Sequence, residues 1–313
     1  MSDLVTLGES TALFSMPQMG RLRDASRLDV SIAGAESNVS IGFCRLGRSS
    51  SWIGRVGQDE FGELIVRTLR REGVDTSGVR TDAARQTALM FKEHRAPNVV
   101  EVTYYRRGYA GSALTPDDVD DALITSARVL HVTGITMALS DSARAAVEHA
   151  VHVARAAGVL VSLDVNYRSR LWSREAAAAA IGPLAREADI VFAGDDELFV
   201  FGSEGLSEAE RLAAQGSREV VVKQGARGAT SFCDGDRWVE PAVAVMAIDP
   251  VGAGDAFVAG YLVARLEGGD HQARLRTGCA TGAFAASHVG DWECQARRDD
   301  LEMLWRDSGT TLR

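Results

Sequence analysis

The sequence predicts an α/β protein with a mainly parallel central sheet covered by helices on both faces. Short apolar runs rich in β-branched residues alternate with longer segments of helical periodicity. Polar residues that commonly begin helices stand between several of these runs. Because parallel strands are joined by crossover helices, this alternation favours a sheet buried between two helical layers.

Six apolar runs have the length and composition of buried strands. They are Leu4 to Gly8, Ser51 to Gly57, Arg128 to Gly134, Val159 to Asn166, Asp189 to Ala193 and Val220 to Lys223. Three polar segments are predicted to begin helices, through capping side chains or a proline in the first turn. They are Thr115 to Asp118, Ser140 before an alanine-rich run, and Ser207 with Glu210 as a capping box.

Two segments, 11–32 and 87–106, interrupt the alternation with irregular polar patterns. Neither has convincing helical periodicity, so both are predicted to form strands of a small lid over the main sheet. The sequence has no internal repeat and no long low-complexity linker. We therefore expect residues 1–313 to form one domain with an accessory lid. Exposed lid strands favour pairing between subunits, so a homo-oligomer is expected.

Composition restricts the class of protein. The chain has 46% hydrophobic and 25% charged residues, and it lacks the roughly 18-residue apolar run of a membrane span. Its first residues lack the pattern of a secretory signal, and its four cysteines form no C-x-x-C pair. A net charge of −9 argues against nucleic-acid binding. We expect a cytoplasmic protein that binds neither membranes nor nucleic acid.

The segment from Asp249 to Phe257 carries the strongest chemical signal. Gly252 and Gly254 allow backbone N–H groups to approach an anion closely, and the helix predicted after them directs its positive end to the same point. Asp255, in the first turn of that helix, could accept a proton from an attacking hydroxyl. Taken alone, these residues are also compatible with a glycine-rich turn and an acid that caps a helix.

Two signatures together resemble those of the ribokinase-like, or PfkB, carbohydrate kinases. They are Asp249-Pro-Val-Gly-Ala-Gly-Asp255 and Ala33-Gly-Ala-Glu-Ser-Asn38, and the segment Gly54 to Gly62 is similar to a third family element. The resemblance covers essentially the whole chain. It implies a ribokinase-like αβα sandwich with a mainly parallel central sheet and a small β lid. It also implies in-line phosphoryl transfer from ATP with Mg²⁺, and it leaves open a monovalent cation near Asp249.

The resemblance implies roles at the start of the predicted helix. Asp255 matches the general base of the family, and Gly252, Ala253 and Gly254 match the amides of its oxyanion hole. Gly252 and Gly254 would therefore also contact ATP.

The nucleotide side is implied by two further segments. Lys223, Gly225 and Gly228 resemble the K-x-G-x-x-G turn whose backbone approaches the ATP phosphates and ribose. Glu197 matches the acid of an N-x-x-E motif that acts indirectly on Mg²⁺. Gly194 replaces the asparagine of that motif, which weakens the match.

Within the family, the segments around Tyr104 and Arg168 look most like those of kinases that act on 2-keto-3-deoxygluconate. A sugar acid presents a carboxylate, which calls for planar cationic groups. Arg106 and Arg168 could supply these charges from opposite sides of the substrate. Met90 stands where some relatives have a tyrosine, so substrate preference is open to change. The remaining substrate-binding residues implied by the resemblance are Gly34, Asn38, Asn166, Asp255 and Asp291.

Several alternatives are weighed against this interpretation. A fructokinase, a ribokinase or a nucleoside kinase shares the glycine motifs, and the sequence does not separate a gluconate-derived from a galactonate-derived acid. A non-catalytic sugar-binding protein would have lost the base, whereas Asp255 is present. A dinucleotide-binding oxidoreductase needs G-x-G-x-x-G after the first strand, where the sequence reads Gly8-Glu-Ser-Thr. Neither a P-loop nor a protein-kinase catalytic loop is found.

Three histidines receive structural interpretations. His131 lies within an apolar strand and is predicted to be a core residue rather than a base. His149 and His152 share a helical face without a third ligand, so they are predicted to be surface or packing residues.

Overall fold

The computed structural model describes residues 2–96, 99–215 and 219–305. Within these residues, the strands are β1 (Leu4–Leu7), β2 (Thr11–Ser15), β3 (Asp29–Ala33), β4 (Ser50–Gly57), β5 (Val79–Asp82), β6 (Leu89–Ala96), β7 (Val99–Tyr105), β8 (Val129–Thr133), β9 (Leu160–Asp164), β10 (Ile190–Gly194), β11 (Glu219–Lys223), β12 (Ala229–Cys233) and β13 (Asp236–Glu240). The α-helices are α1 (Ala35–Arg45), α2 (Glu60–Arg71), α3 (Asp121–Thr125), α4 (Gly134–Leu139), α5 (Asp141–Ala156), α6 (Arg174–Ala185), α7 (Leu206–Ala214), α8 (Ala253–Leu266), α9 (His271–Ala286) and α10 (Arg298–Trp305).

The main sheet has the strand order β13-β12-β11-β10-β9-β8-β1-β4-β5. The strands from β11 to β5 pair in parallel, whereas β12 and β13 are joined in antiparallel fashion at one edge. The six predicted strands correspond to β1, β4, β8, β9, β10 and β11, so the prediction of a mainly parallel sheet is confirmed. The carboxyl ends of the parallel strands therefore meet at one edge, where ligands bind in folds of this class.

Helices cover both faces of this sheet, as alternate residues of β10 illustrate. Ile190 and Phe192 pack in one apolar cluster with Val258 and Tyr261 of α8. Val191, between them, packs on the opposite face in a cluster that includes residues of α5 and α6. Successive side chains of a strand point to opposite faces, so apolar residues at every position need a helical layer on each side.

A second, small sheet contains strands from both segments that interrupt the sequence pattern. Its order is β3-β2-β6-β7, with β2 and β6 parallel and the outer pairs antiparallel. Leu13, Ala33 and Met90 form its buried apolar cluster. The prediction that segments 11–32 and 87–106 form strands is confirmed, with a short 3₁₀ turn at Leu22–Asp24 in the first of them.

The predicted helix starts have different outcomes. Ser140 accepts a hydrogen bond from the Ala143 amide and caps α5, as expected. The capping box of Thr115 and Asp118 is present, but it closes a 3₁₀ turn rather than an α-helix. The capping box at Ser207 is wrong, because α7 begins at Leu206 and its N-cap is Gly205, two residues before Ser207.

His131 is a core residue, as predicted. His131 is fully buried, and its Nδ1 lies 2.9 Å from the Ser162 hydroxyl. Burial lowers the pKa of His131 to about 4, because the apolar surroundings disfavour the imidazolium. His149 pairs with Asp121, and the described part of the chain contains no cluster of ligands for a metal ion. No described helix is long and apolar enough to cross a bilayer.

Candidate active site

Polar residues converge at the carboxyl ends of the parallel strands. Glu9 follows β1, Asp164 ends β9, Lys223 ends β11, and the first turn of α8 carries Asp255. They form three groups of contacts: Glu9 pairs with Arg106, Lys223 pairs with Asp164, and Asp255 accepts from Asn38. The charges of Asp164 and Lys223 also act on Asp255. The topology of the sheet thus brings together groups that are far apart in the sequence.

The start of α8 has the backbone that its glycines predict. Gly252 has a φ of 77° and is the N-cap of the helix. A Cβ added to Gly252 would lie 2.2 Å from the Asp291 carbonyl oxygen, so a side chain cannot be accommodated there. The Ala253 amide donates to the Pro250 carbonyl at 3.3 Å, so its predicted role in an oxyanion hole requires that weak bond to be given up.

Asn38 links the predicted base to a second acid. It lies in α1, and its Nδ2 donates to Asp255 Oδ2 at 2.9 Å and to Asp291 Oδ1. Asn38 is buried, and its Oδ1 has no hydrogen-bond partner among the described residues. A buried amide oxygen without a partner is an acceptor available to a substrate hydroxyl.

The two acids next to Asn38 have raised pKa values. Burial raises the pKa of Asp255 to about 7, with further increases from the charges of Asp291 and Asp164, whereas Asn38 and Lys223 oppose the shift. Burial likewise raises the pKa of Asp291 to about 6, and Asn38 and Lys92 oppose that shift. A carboxylate with a pKa near neutrality is suited to accept and release a proton.

Lys223 is held close to the start of α8. Its Nζ donates to both oxygens of Asp164, at 2.7 and 2.9 Å, and lies 3.6 Å from the position of a Cβ on Gly254. Burial by itself lowers the pKa of the Lys223 ammonium, but the charges of Asp164 and Glu197 outweigh burial and raise it. The site therefore contains a fixed positive charge beside the glycine-rich turn.

The turn after β11 also has the predicted backbone. Gly225 and Gly228 have φ values of 55° and 99°, and a Cβ on Gly228 would lie 2.0 Å from the Glu240 carbonyl oxygen. The Gln224 amide closes the turn by donating to the Gly228 carbonyl at 2.8 Å. Glycine is required at position 228 because the neighbouring backbone occupies the space of a side chain.

Glu197 is nearby and has backbone partners for both oxygens. The Tyr167 amide donates to Oε1 at 2.7 Å, and the Gly194 amide donates to Oε2 at 2.6 Å. Burial raises the pKa of Glu197, and the charge of Asp164 adds to the shift. Gly194, which replaces an asparagine of the family motif, thus contributes its backbone rather than a side chain.

Arg106, which directly follows β7, already has a carboxylate partner within the chain. Its Nε donates to Glu9 Oε2 at 2.7 Å, and its Nη2 donates to the same oxygen. The Glu9 side chain is fully buried, and its Oε1 has no hydrogen-bond partner in the described part of the chain. Arg106 also stacks over the Tyr104 ring at 4.7 Å. Glu9 therefore fixes the orientation of Arg106 and neutralises part of its charge.

Arg168 is different because it is exposed and its side chain makes no hydrogen bond or ion pair with the described residues. It lies near the same tyrosine, since the charges of Arg106 and Arg168 both oppose the rise that burial produces in the pKa of Tyr104. Asn166, two residues earlier, is buried with a φ of 41°. The left-handed backbone at Asn166 turns the chain sharply after β9.

Gly34 and Met90 are two further positions that were predicted to bear on substrate binding. A Cβ on Gly34 would lie 2.5 Å from the Glu9 carbonyl oxygen, so glycine is needed for the close approach of two backbones. Met90 pairs directly with Tyr104 across β6 and β7, and it is 4% exposed. The residue that departs from the family pattern is thus the immediate neighbour of Tyr104.

Three residues of the site were not identified from the sequence. Glu9 and Asp164 lie at or near the ends of predicted strands, but nothing in the local pattern pairs them with Arg106 and Lys223. Lys92 is buried against Asp249, which begins the segment that leads to Asp255, although 157 residues separate Lys92 and Asp249. A polar residue at the end of a predicted strand was the available signal for Glu9 and Asp164.

Comparison with known families agrees with this geometry. Residues 1–297 match the family model described as pfkB family carbohydrate kinase. The chain therefore belongs to the pfkB family of carbohydrate kinases.

Three similar proteins and one solved structure have names that specify a substrate. The chain is 39% identical to the 2-dehydro-3-deoxygluconokinase of Thermoproteus tenax, over 97% of this chain and 94% of that protein. It is 35% identical to the Bacillus subtilis protein of the same name, over 96% and 94%. It is 32% identical to the 2-dehydro-3-deoxygalactonokinase of Haloferax volcanii, over 93% and 92%. The crystal structure of 2-dehydro-3-deoxygluconokinase from Thermotoga maritima superposes with a TM-score of 0.87 at 26% identity, over 96% and 97%.

Proposed function

We propose that this kinase transfers the γ-phosphoryl group of ATP to the 6-hydroxyl of 2-keto-3-deoxygluconate, which is also named 2-dehydro-3-deoxygluconate. The single observation that carries the proposal is Arg168. It is an exposed guanidinium whose charge acts on Tyr104 and whose side-chain donors are not engaged by the described residues. A free planar cation at the end of a strand matches a substrate carboxylate better than it matches a neutral sugar.

Arg106 supports the same substrate in a different way. Its Nε and Nη2 are held by Glu9, so its remaining Nη1 is the donor that can turn to a ligand. Arg168 then makes the main carboxylate contact, and Arg106 orients the sugar from the other side. Gly34, Asn38, Asn166 and Asp291 are proposed to bind its hydroxyl groups, and Tyr104 to pack against it.

Asp255 is proposed to be the general base. The substrate hydroxyl oxygen attacks the γ-phosphorus, its proton passes to Asp255, and the bond from that phosphorus to the ADP oxygen breaks. The raised pKa of Asp255, about 7, suits it to take the proton near neutral pH. The Gly252, Ala253 and Gly254 amides and the Lys223 ammonium would stabilise negative charge on the transferred group.

ATP is proposed to bind along the two glycine-rich turns. Lys223, Gly225 and Gly228 form one side, and the start of α8 forms the other. Mg²⁺ fits this acidic region because it prefers oxygen ligands and retains several waters. Both Glu197 oxygens already accept backbone hydrogen bonds, so Glu197 fits a role through water rather than direct ligation. Bound Mg²⁺ would neutralise charge on the phosphate oxygens.

A coupled ATP-consumption assay tests the proposal. Purified protein is supplied with 2-keto-3-deoxygluconate, its galactonate-derived epimer, fructose, ribose and adenosine. The proposal expects the highest kcat/KM for 2-keto-3-deoxygluconate. A higher value for the epimer would keep the mechanism and change the substrate, as the Haloferax volcanii relative suggests. A preference for fructose or ribose would overturn the assignment of a sugar acid.

Arg168→Ala tests the carboxylate contact directly. Loss of a charge-assisted hydrogen bond of about 1.5–3 kcal/mol should raise the KM for the sugar acid by roughly 10- to 100-fold and leave the KM for ATP nearly unchanged. Arg170→Ala is a matched control, because Arg170 is also exposed and donates to the Val102 carbonyl at 2.6 Å. Equal effects on both substrates would refute capture of the carboxylate by Arg168.

We further propose that the small sheet closes over the sugar as a lid and that two copies of the chain pair through it. Its outer strands, β3 and β7, carry exposed apolar residues, among them Val30, Val99 and Tyr105, each about half exposed. An unpaired strand edge with apolar residues favours association. Size-exclusion chromatography with light scattering should give a dimer, and Val30→Lys should shift the protein to monomer. A wild-type monomer would contradict the pairing.

A further inference from the structure

One strand of the small sheet carries a deeply buried lysine. Lys92 lies in β6, its side chain is 2% exposed, and its Nζ lies 2.5 Å from Asp249 Oδ2. The Asp249 side chain is completely buried. Lysine is rarely buried unless it is paired, and an ion pair with both partners sealed from water has a fixed position.

Asp249 opens the segment that leads to the start of α8, and its polar groups are engaged. Its Oδ2 accepts from Lys92, its Oδ1 accepts from the Val251 amide at 3.2 Å, and its own amide donates to the Ala286 carbonyl at 3.2 Å. The ammonium of Lys92 therefore helps to set the path of the backbone that enters the Gly252 turn.

The surroundings of this ion pair are acidic. Asp249 and Glu293 both raise the pKa of Asp291, and the charge of Lys92 opposes them. Removal of the Lys92 charge would leave these carboxyl groups without the cation that faces them. Such a cluster of acids would then draw in a dissolved cation.

The resemblance of the chain to its family leaves open a monovalent cation beside Asp249, and the residues here do not fit one. An ion at that carboxylate would lie next to the Lys92 ammonium and would be repelled by it. Both Asp249 oxygens also already accept N–H donors. The position that would hold a cation is filled by a side chain of the protein.

We propose that Lys92 is the resident counter-charge of the Asp249 segment and that the kinase reaction of this chain needs no dissolved monovalent cation. The statement about the reaction depends on the proposed function, whereas the statement about Asp249 does not. Because β6 belongs to the small sheet, the same ion pair connects that sheet to the backbone around the Gly252 turn. Lys92 is thus a positioning residue that acts through Asp249.

The first experiment compares the wild-type protein in potassium chloride and in tetramethylammonium chloride. At matched ionic strength, the rate of ATP consumption and the unfolding temperature should agree in the two salts, the rates to within about twofold. Activation by potassium of about fivefold or more, or a higher unfolding temperature in potassium alone, would overturn the proposal, since mass action links ion binding to stability. The unfolding temperature decides the matter even if none of the sugars tested is a substrate.

The second experiment makes the site dependent on an added cation. Lys92→Ala leaves space beside Asp249, so potassium, ammonium or methylammonium should raise its unfolding temperature and restore part of its activity. Arg95→Ala is the matched control, because Arg95 lies on the same strand in a partly exposed ion pair with Glu93, and its salt response should equal that of the wild type.

The response of folded Lys92→Ala to the three cations supports or contradicts the proposal. A folded Lys92→Ala protein that responds to none of the three cations would show that the charge of Lys92 is not what Asp249 requires. Restoration by potassium, together with a wild-type protein indifferent to potassium, supports the proposal. If the variant does not fold, the wild-type comparison of salts decides whether the proposal stands.

Discussion

Lys92 and Lys223 are the two lysines of a chain that has 34 lysine and arginine residues in total, and each is paired with an aspartate near the active site. Lys92 is 2% exposed and comes from the small sheet, whereas Lys223 is 18% exposed and ends a strand of the main sheet. Both are compact point charges, unlike the planar arginine side chain that the chain uses elsewhere.

The difference in exposure gives the two lysine–aspartate pairs different roles. Lys223 lies beside the glycine-rich turn and lowers the pKa of Asp255, so its charge faces the region where a phosphate would bind. Lys92 lowers the pKa of Asp291 and is sealed from solvent. Lys223 is therefore placed to act on a ligand, whereas Lys92 is placed to stabilise the protein structure around it.

Breaking the sealed pair should have the largest effect. Lys92→Met leaves the buried Asp249 carboxylate without its cation, so the free energy of unfolding should fall by about 3–5 kcal/mol in a denaturant titration. The double variant Lys92→Met with Asp249→Asn should recover part of this loss, because it removes the uncompensated charge. A single variant that loses less than about 1 kcal/mol would place Lys92 in the same class as an exposed ion pair.

Asp255, the proposed base, is the acid whose pKa is lowered by the charge of Lys223. Asp255→Asn should lower kcat by at least roughly 100-fold, about 2.7 kcal/mol in activation free energy, while ATP binding is retained. Calorimetric titration with ATP and steady-state kinetics measure the two effects separately. The control is Asp234→Asn in an exposed hairpin turn, where φ is 51° and asparagine is well tolerated. Near-normal turnover of Asp255→Asn would remove the residue from the role of base.

Breaking the accessible pair should act on the nucleotide. Lys223→Met removes a charge-assisted contact to phosphate, so the KM for ATP should rise by about tenfold or more, while the KM for the sugar acid changes less. Initial-rate measurements that vary each substrate in turn test this. The opposite pattern, with the sugar affected and ATP not, would assign Lys223 to the acceptor side.

The smallest expected effect is a shift in the pH dependence of kcat/KM. This shift distinguishes Lys223, which acts on Asp255, from an arginine that does not. Asp255 must be unprotonated to act as a base, so kcat/KM should fall as pH decreases below the pKa of about 7. Lys223 favours the carboxylate form of Asp255, so Lys223→Met should move this limb to higher pH. Arg170→Ala serves as the control, because that arginine does not face Asp255. A limb that stays in place in Lys223→Met would mean that the two groups are not coupled.

The sequence predicted much of the fold because its signals are local. Strands β1, β4, β8, β9, β10 and β11 follow from runs of β-branched residues, and the cap at Ser140 follows from a side chain that reaches its own helix. The Ser207 capping box failed because α7 begins at Leu206, and its N-cap is Gly205, two residues before Ser207, with a φ of 98° and no capping side chain. Local patterns identify elements more reliably than they identify boundaries.

The candidate site divides in the same way. The sequence predicted the roles of Gly252, Gly228 and Asp255. A glycine at a close backbone approach and an acid in the first turn of a helix can both be recognised from the adjacent residues. The engagement of Arg106 by Glu9 could not be predicted, since 97 residues separate the pair. Before folding, either arginine is an equally good partner for a substrate carboxylate.

By itself, the sequence determined the α/β architecture, the glycine-rich turn at Gly252 and the acid at Asp255, because each depends on residues that are adjacent along the chain. Only the tertiary structure decided the partners of the charged groups: Lys92 with Asp249, Lys223 with Asp164, and Arg106 with Glu9. The physical reason is that a buried charge takes its pKa and its partner from the elements packed around it, and packing joins elements that the sequence holds far apart.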